Sequence, residues 1–253
     1  MHIEWFELTP LQIVLSISII FIAYTIKGLS GFGSGLIAIP LLAFIFPLTV
    51  IVPVLGLLSY SGTIMQSVHL RKQVVWRDML PLIPFSILGI VIAIWLLVNV
   101  DANRLVMALG VFVLLYSIYS FLSLSVHAGG RRWAIIAGSC GGLVGALFGT
   151  GGPFYVVYLK MRQLNKSQFR ATIAMIFLFD GGARMSGYAL NGLFTSQVLS
   201  LVVTLLPVLF LAMYVGHHLH IKIDQQRFNQ VISVLLMVSG LMLIVKSISA
   251  DTI

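Results

Sequence analysis

Two clusters of small residues and one pair of opposite charges hold the chemistry this chain can do. The clusters are Gly31-Phe-Gly33-Ser34-Gly35 and Gly149-Thr150-Gly151-Gly152-Pro153. A backbone without Cβ atoms can adopt positive φ and approach a ligand closely. A helix that starts after such a turn points unpaired N–H groups, and the positive end of its dipole, back at the turn. That arrangement favours an anion. Ser34 and Thr150 add hydroxyl donors, while Pro40 and Pro153 stand where a shortened helix can start or kink. Gly31, Gly33, Ser34, Gly35, Gly149, Thr150, Gly151 and Gly152 are therefore the candidate substrate-binding residues. Close helix packing through small residues is the competing explanation. One cluster alone would favour packing; two in corresponding places favour an anion site.

Asp180 and Arg184 lie in the apolar stretch IFLFDGGARMSGYAL, four residues apart and so on one helix face. Arg184 joins the candidate binding set, because a planar guanidinium suits an oxyanion. Asp180 is then a proton or gating partner. The alternative is a self-neutralising ion pair that only lets the helix insert. Ser61, Thr63 and Gln66, with Ser59 and Ser67, form a polar run without a single face. Part of it lines the same cavity and part bonds backbone carbonyls. Lys27 ends the first helix beside the first Gly cluster, where it either attracts anions or snorkels to the interface. Pro40, Pro153, Asp180, Lys27, Ser61, Thr63 and Gln66 are assigned structural or gating roles.

No catalytic set emerges. A Gly-x-Ser-Gly motif would need glycine where Phe32 stands, and His-Glu-x-x-His is absent from the sequence. The single cysteine, Cys140, excludes an intrachain disulfide and a cysteine-based metal site. The reading is a protein without enzymatic activity, cofactor or metal.

The elements that must position these residues are membrane helices. Of 253 residues, 59% are hydrophobic and only 9% charged, and the mean hydropathy is +1.07. A soluble domain carries roughly 25% charged residues. Long apolar runs recur from Thr9 to Ile248, so the chain is read as an all-α polytopic membrane protein with the bilayer as its surroundings. The net charge of +8 reflects basic loops that set topology rather than nucleic-acid binding, since no basic stripe interleaved with aromatics occurs. The N-terminus, MHIEWFELTP, carries Glu4 and Glu7 and no positive region, unlike a cleaved signal peptide.

Apolar segments fall at 9–27, 34–46, 49–70, 79–99, 103–125, 133–148, 151–161, 167–190, 197–216 and 228–249. That predicts five elements, a basic turn at His127–Arg132, and five more, or eight to ten helices in all. The opening pair of each half is short against a hydrocarbon core of roughly 30 Å. Those pairs read as broken or re-entrant hairpins with the Gly-rich turn inside the membrane. The halves echo one another: Asp101-Ala-Asn-Arg104 with Asp224-Gln-Gln-Arg227, Gly31-x-Gly33 with Gly149-x-Gly151, Ser61-Gly62 with Asp180-Gly181. The reading is an internal duplication, residues 1–126 and 127–253.

Charge sets the relation between the halves. His69–Arg77 and Lys160–Arg170 are strongly basic, whereas their counterparts, Asn191–Gln197 and Phe46–Thr49, carry no charge. Corresponding loops thus lie on opposite sides, which makes the repeats inverted. With basic loops inside, both termini are periplasmic, and Lys246 near an outer end is a mild violation.

At the two Gly-rich motifs the chain resembles the TauE/SafE family of bacterial sulfite and organosulfonate exporters. Gly28-Leu-Ser-Gly31-Phe-Gly33-Ser-Gly35-Leu-Ile-Ala-Ile-Pro40 and Gly145-Ala-Leu-Phe-Gly149-Thr-Gly151-Gly152-Pro153 carry the resemblance, with echoes at Phe169-Arg170-Ala171-Thr172 and Phe228–Gly240. It runs nearly end to end. Ser34 takes a position often glycine in the family, and Phe154 replaces a second proline. The resemblance implies a secondary transporter of the inner membrane, an exporter of small sulfur-containing anions such as sulfite or sulfoacetate by alternating access. The two Gly-rich hairpins would then meet near the bilayer midplane. The residues themselves argue only for a small anion, so a small-anion channel or a carrier for a non-sulfur organic anion is the alternative. A homodimer is left open.

Overall fold

A computed structural model describes residues 9–30, 33–67, 73–122, 127–218 and 225–251. Gly31 lies outside the described residues, as do the side chain of Gln66 and the residues Asp224 and His69. The described residues are helical in order: α1 (Pro10–Ser30), α2 (Ser34–Leu42), α3 (Leu48–Ser67), the single turn α4 (Trp76–Met79), α5 (Ile83–Asn99), α6 (Ala102–Phe121), α7 (Trp133–Phe148), α8 (Gly152–Met161), α9 (Lys166–Leu190), α10 (Ser196–His218) and α11 (Gln225–Asp251). A 3₁₀ turn, Leu80–Leu82, joins α4 to α5, so Trp76–Asn99 runs as one interrupted apolar element.

Local chemistry explains the boundaries. Asp101 caps α6, accepting hydrogen bonds from the backbone N–H of Asn103 at 2.8 Å and of Arg104 at 3.4 Å. Asn165 and Gln168 form a reciprocal capping box at the start of α9. Gly149 ends α7 with φ of 62°, and Gly33 precedes α2 with φ of 97°, both in the left-handed region where only glycine is unstrained. Pro153 sits in the first turn of α8, where its missing N–H costs nothing.

Among the described residues, five elements are long and apolar enough to cross a membrane: Pro10–Leu29, Trp76–Asn99, Ala102–Phe121, Ser196–His218 and Ile232–Ser249. Their lipid-accessible faces carry many exposed large apolar residues, among them Leu11, Trp95, Val203, Tyr214 and Val245. In water such faces would aggregate; in a bilayer they are solvated by lipid. The expectation of a short opening pair fits α7 and α8, with 16 and 10 residues, and α2 with 9. It does not fit α1. That helix has 21 residues and spans about 32 Å at 1.5 Å each, because glycine does not interrupt its apolar run before Gly28.

The chain divides into two compact units. The first comprises residues 1–54, 101–123 and 194–253, and the second residues 55–100 and 124–193, so the boundary falls inside α3. In the first unit α1 packs along α10, and α6 along α11. Both seams run through glycines. A Cβ on Gly216 would fall on the Thr25 carbonyl oxygen, and one on Gly240 would come 3.0 Å from the Gly110 carbonyl oxygen. Asn103 and Ser247 bind each other's backbone carbonyls across the α6–α11 seam, at 2.9 and 3.1 Å. The small helix α2 is buried along most of its length against α1, α6 and α11. In the second unit α5 packs along α7, where a Cβ on Gly142 would overlap the Ser86 carbonyl. The core there gathers Met79, Leu82, Ala134, Tyr155, Tyr158 and Ile176 from α4, the 3₁₀ turn, α7, α8 and α9.

Candidate functional site

The second Gly-rich cluster is a turn between two helix ends. By helix geometry α7 ends on four carbonyls, and α8 begins on N–H groups, that have no partner within their own helix. Two of those carbonyls find partners on α9: Arg184 Nη1 donates to the Gly145 carbonyl, and the Tyr188 hydroxyl donates to that of Ala146. The guanidinium thus caps a negative helix end. A point one Cβ length from Gly145 lies 3.5 Å from Gly151 Cα and 3.7 Å from Arg184 Nη1, which places the guanidinium beside the turn.

That contact uses only part of Arg184. Its side chain is 12% exposed, and among the described residues its Nε finds no hydrogen-bond partner. Its Nη2 lies 3.8 Å from Asp180 Oδ2, close enough to neutralise the charge but too long for a hydrogen bond. The Nε–H and Nη2–H form the edge of a guanidinium that can grip two oxygens at once. Thr150, in the turn itself, is 4% exposed, and its Oγ1 is likewise without a partner among the described residues. A buried donor left unpaired costs about 1–3 kcal/mol. Here two of them belong to one turn and its capping arginine.

Asp180 is 4% exposed and accepts a 2.6 Å hydrogen bond from the Tyr155 hydroxyl at Oδ1. Tyr155 is fully buried, with its ring against Gly141, where a Cβ would meet ring carbons. Helical spacing explains the rest of that face: Tyr155, Tyr158, Leu159 and Arg162 stand at i, i+3, i+4 and i+7. Tyr158 donates to the Asp78 backbone carbonyl at 3.0 Å. The Asp78 carboxylate, 5% exposed, takes Arg131 Nε at 2.9 Å and Arg162 Nε at 3.1 Å. One end of α8 therefore meets the Asp180–Arg184 pair, and the other is tied to Asp78.

A cavity of about 400 Å³ lies nearby, lined by Tyr60, Ser86, Ile87, Phe179, Gly182 and Ala183 among others. It faces the side of α9 roughly half a turn away from Asp180 and Arg184, at about 100° per residue. It is apolar and does not contain the paired charges.

In the first unit, Ser34 and Gly35 are buried at the start of α2, and no neighbour lies within 4 Å of a Cβ built on Gly33. Pro40 lies buried inside α2. Lys27 is 4% exposed with Nζ 5.8 Å from the Tyr24 ring centroid, a cation–π distance, so the snorkelling alternative does not hold. Ser61 and Thr63 donate to the carbonyls of Leu57 and Ser59, one turn back in their own helix, which accounts for the part of the polar run read as bonding backbone. Lys246, the outlier in the charge pattern, reaches the carbonyls of Ala43 and Phe44 at 3.2 and 3.3 Å. It caps the C-terminal end of α2, a structural reason for a cation there.

Sequence reasoning singled out Arg184, Asp180 and Thr150 and did not single out Tyr155, the Gly145 carbonyl or the Asp78 cluster, which the structure places around them. The available signal was phenols in apolar helices, since a buried tyrosine hydroxyl needs a partner.

A family model described as sulfite exporter TauE/SafE matches residues 16–243. The probable inner membrane transporter protein TsaS of Comamonas testosteroni is 25% identical over 183 residues, covering 68% of this chain and 73% of that protein. No solved structure matches the chain. The match runs from α1 to α11 and includes both Gly-rich turns: the chain belongs to the TauE/SafE family of sulfite exporters, whose members are membrane transporters and not enzymes.

Proposed function

We propose that this protein is a secondary carrier that exports small sulfur-containing oxyanions, of the size of sulfite or sulfoacetate, by alternating access. The observation that carries this is the pair of buried donors at the α7–α8 turn, Thr150 Oγ1 and Arg184 Nε, that have no partner among the described residues. An oxyanion bound there would pair both, with the first N–H groups of α8 and the Nη2–H as further donors. Gly33, Ser34 and Gly35 at the start of α2 offer the corresponding helix end in the first unit. Gly31 precedes them in the sequence motif and joins the proposed set on that ground alone. An inside-negative potential is worth about 2.3 kcal/mol per charge per 100 mV and favours exit of a net negative charge.

Two features support inverted repeats of residues 1–126 and 127–253. One is the charge pattern of the loops. The other is reciprocal packing: the first element of each half lies along the fourth of the other, α1 on α10 and α7 on α5, while the two fifth elements, α6 and α11, pair with each other. An inverted duplication produces that exchange. Both termini are then periplasmic.

The test is trans-stimulated exchange in proteoliposomes loaded with sulfite, sulfoacetate, sulfate, chloride or acetate. Selective exchange of the sulfur anions is expected, and Arg184→Ala should abolish it while inserting normally. Exchange of another small anion would end the sulfur assignment. Large linear currents without exchange would make the protein a channel. Unchanged exchange by well-folded Arg184→Ala would remove Arg184 from the site.

A further inference from the structure

Asp180 has no task in holding the anion, and a buried carboxylate next to an anion-binding arginine needs an explanation. It faces Tyr155 from α8 and Arg184 from its own helix, the two groups that act on its carboxyl. Tyr188, one turn beyond Arg184, is engaged by the Ala146 carbonyl, and α3 brings the Tyr60 ring against neighbouring Gly181. Arg184 is thus the cation that balances Asp180. Its Nη1 is held by Gly145, and only 3.8 Å of Coulomb attraction, without a hydrogen bond, links it to the carboxylate.

Resting on the carrier reading above, we infer that Asp180 takes up a proton when the anion binds Arg184, so that the protein moves anion and proton together. The physics is charge sharing. With an oxyanion on the free edge of the guanidinium, one cation faces two anions in a buried site. A nearby like charge disfavours the ionised carboxylate. The proton comes from water on the side where the anion enters, rests on an Asp180 oxygen, and returns to water on the other side. No bond other than O–H forms or breaks. Tyr155 keeps the carboxyl in place in either form, because its hydroxyl can donate to the oxygen that does not carry the proton. By linkage, a proton that follows the anion must also tighten anion binding by the same factor. Apparent affinity then falls as pH rises, by up to about tenfold per pH unit. A dianion leaves with one proton and one net negative charge, so the membrane potential still favours its exit.

Sulfoacetate is the suitable probe, because its sulfonate and carboxylate stay ionised between about pH 6 and about pH 8. The full-length protein is reconstituted in vesicles with a trapped pH-sensitive dye. A sulfoacetate gradient should drive proton movement in the same direction, with weaker apparent affinity at the higher pH. Asp180→Asn keeps the carboxyl's shape and an acceptor for Tyr155, and imitates the protonated form. It should exchange sulfoacetate with no pH dependence, and its proton signal should fall to that of empty vesicles. Tyr155→Phe removes the hydrogen bond to the Asp180 carboxyl, so it should shift the pH midpoint of sulfoacetate affinity even if Asp180→Asn does not fold. Sulfoacetate exchange without proton movement in the wild type, or a coupled Asp180→Asn, would overturn proton coupling and leave the carrier reading standing. Absence of sulfur-anion exchange from folded wild type would overturn both.

Discussion

Thr150 can be changed to valine with almost no change of shape, which makes it the cleanest probe of the site. Its hydroxyl is buried and unpartnered among the described residues. A packing role predicts that Thr150→Val is neutral or slightly stabilising, since it removes a buried unsatisfied donor worth about 1 kcal/mol. A binding role predicts the same stability together with about tenfold weaker affinity for sulfoacetate, a loss of roughly 1.4 kcal/mol. Thermal unfolding in detergent and saturation of exchange measure the two separately; unchanged affinity would take Thr150 out of the site. This residue was legible in sequence because the Gly-rich motif frames it. Tyr155 was not, because an aromatic in an apolar helix has no visible partner until α9 is folded against α8. The polar run at Ser59–Ser67 misled in part for a related reason. Ser and Thr hydroxyls in a helix can satisfy themselves one turn back, as Ser61 and Thr63 do, and spacing alone does not show this.

Helix boundaries were more legible than helix roles. The apolar runs, the Asp101 cap and the glycines at 33 and 149 place the elements to within a few residues, because capping and positive φ are local requirements. Which helix lies on which is not local, and the α5–α7 and α1–α10 seams appear only in the fold. A graded glycine series tests them. Gly142→Ala and Gly216→Ala place a methyl on the backbone carbonyls of Ser86 and Thr25, which cannot move independently of their helices. Each should cost about 1–3 kcal/mol in unfolding stability. Gly130→Ala, with no neighbour within 4 Å and no positive φ, should be within about 0.5 kcal/mol of wild type. Gly145→Ala separates fold from function: its methyl would meet Gly151 and Arg184 at ordinary contact distances, so it should fold, yet it fills the space between the guanidinium and the turn. Stability near wild type with reduced exchange is the expected pair of readings. Full exchange by this variant would mean that the anion does not pass there.

For the whole molecule, the question is the side of the membrane on which each loop lies. The basic segment around Lys160–Arg170, and Arg131 and Arg132 before α7, argue that both ends of the α7–α8 pair face the cytoplasm. With α8 only 10 residues long, about 15 Å, the proposed path takes that pair in and back on one side. α9, at 25 residues or about 37 Å, then crosses, and α10 and α11 each cross again. On the proposed orientation, three crossings would put the C-terminus in the periplasm. The uncharged segment at Asn191–Gln197 and the start of α6 fall on the outer side by the same path. Cysteine labelling tests this in a Cys140→Ser background, since Cys140 is the only native thiol. Single cysteines at the exposed positions Ala102, Arg132, Ser167 and Ser196 sample both sides. A membrane-impermeant maleimide added to intact spheroplasts should label positions 102 and 196. Positions 132 and 167 should react only after permeabilisation. The mirror result would reverse the orientation and keep the inverted relation. Labelling of 102 together with 167 would break it, because an even number of crossings would then separate corresponding loops.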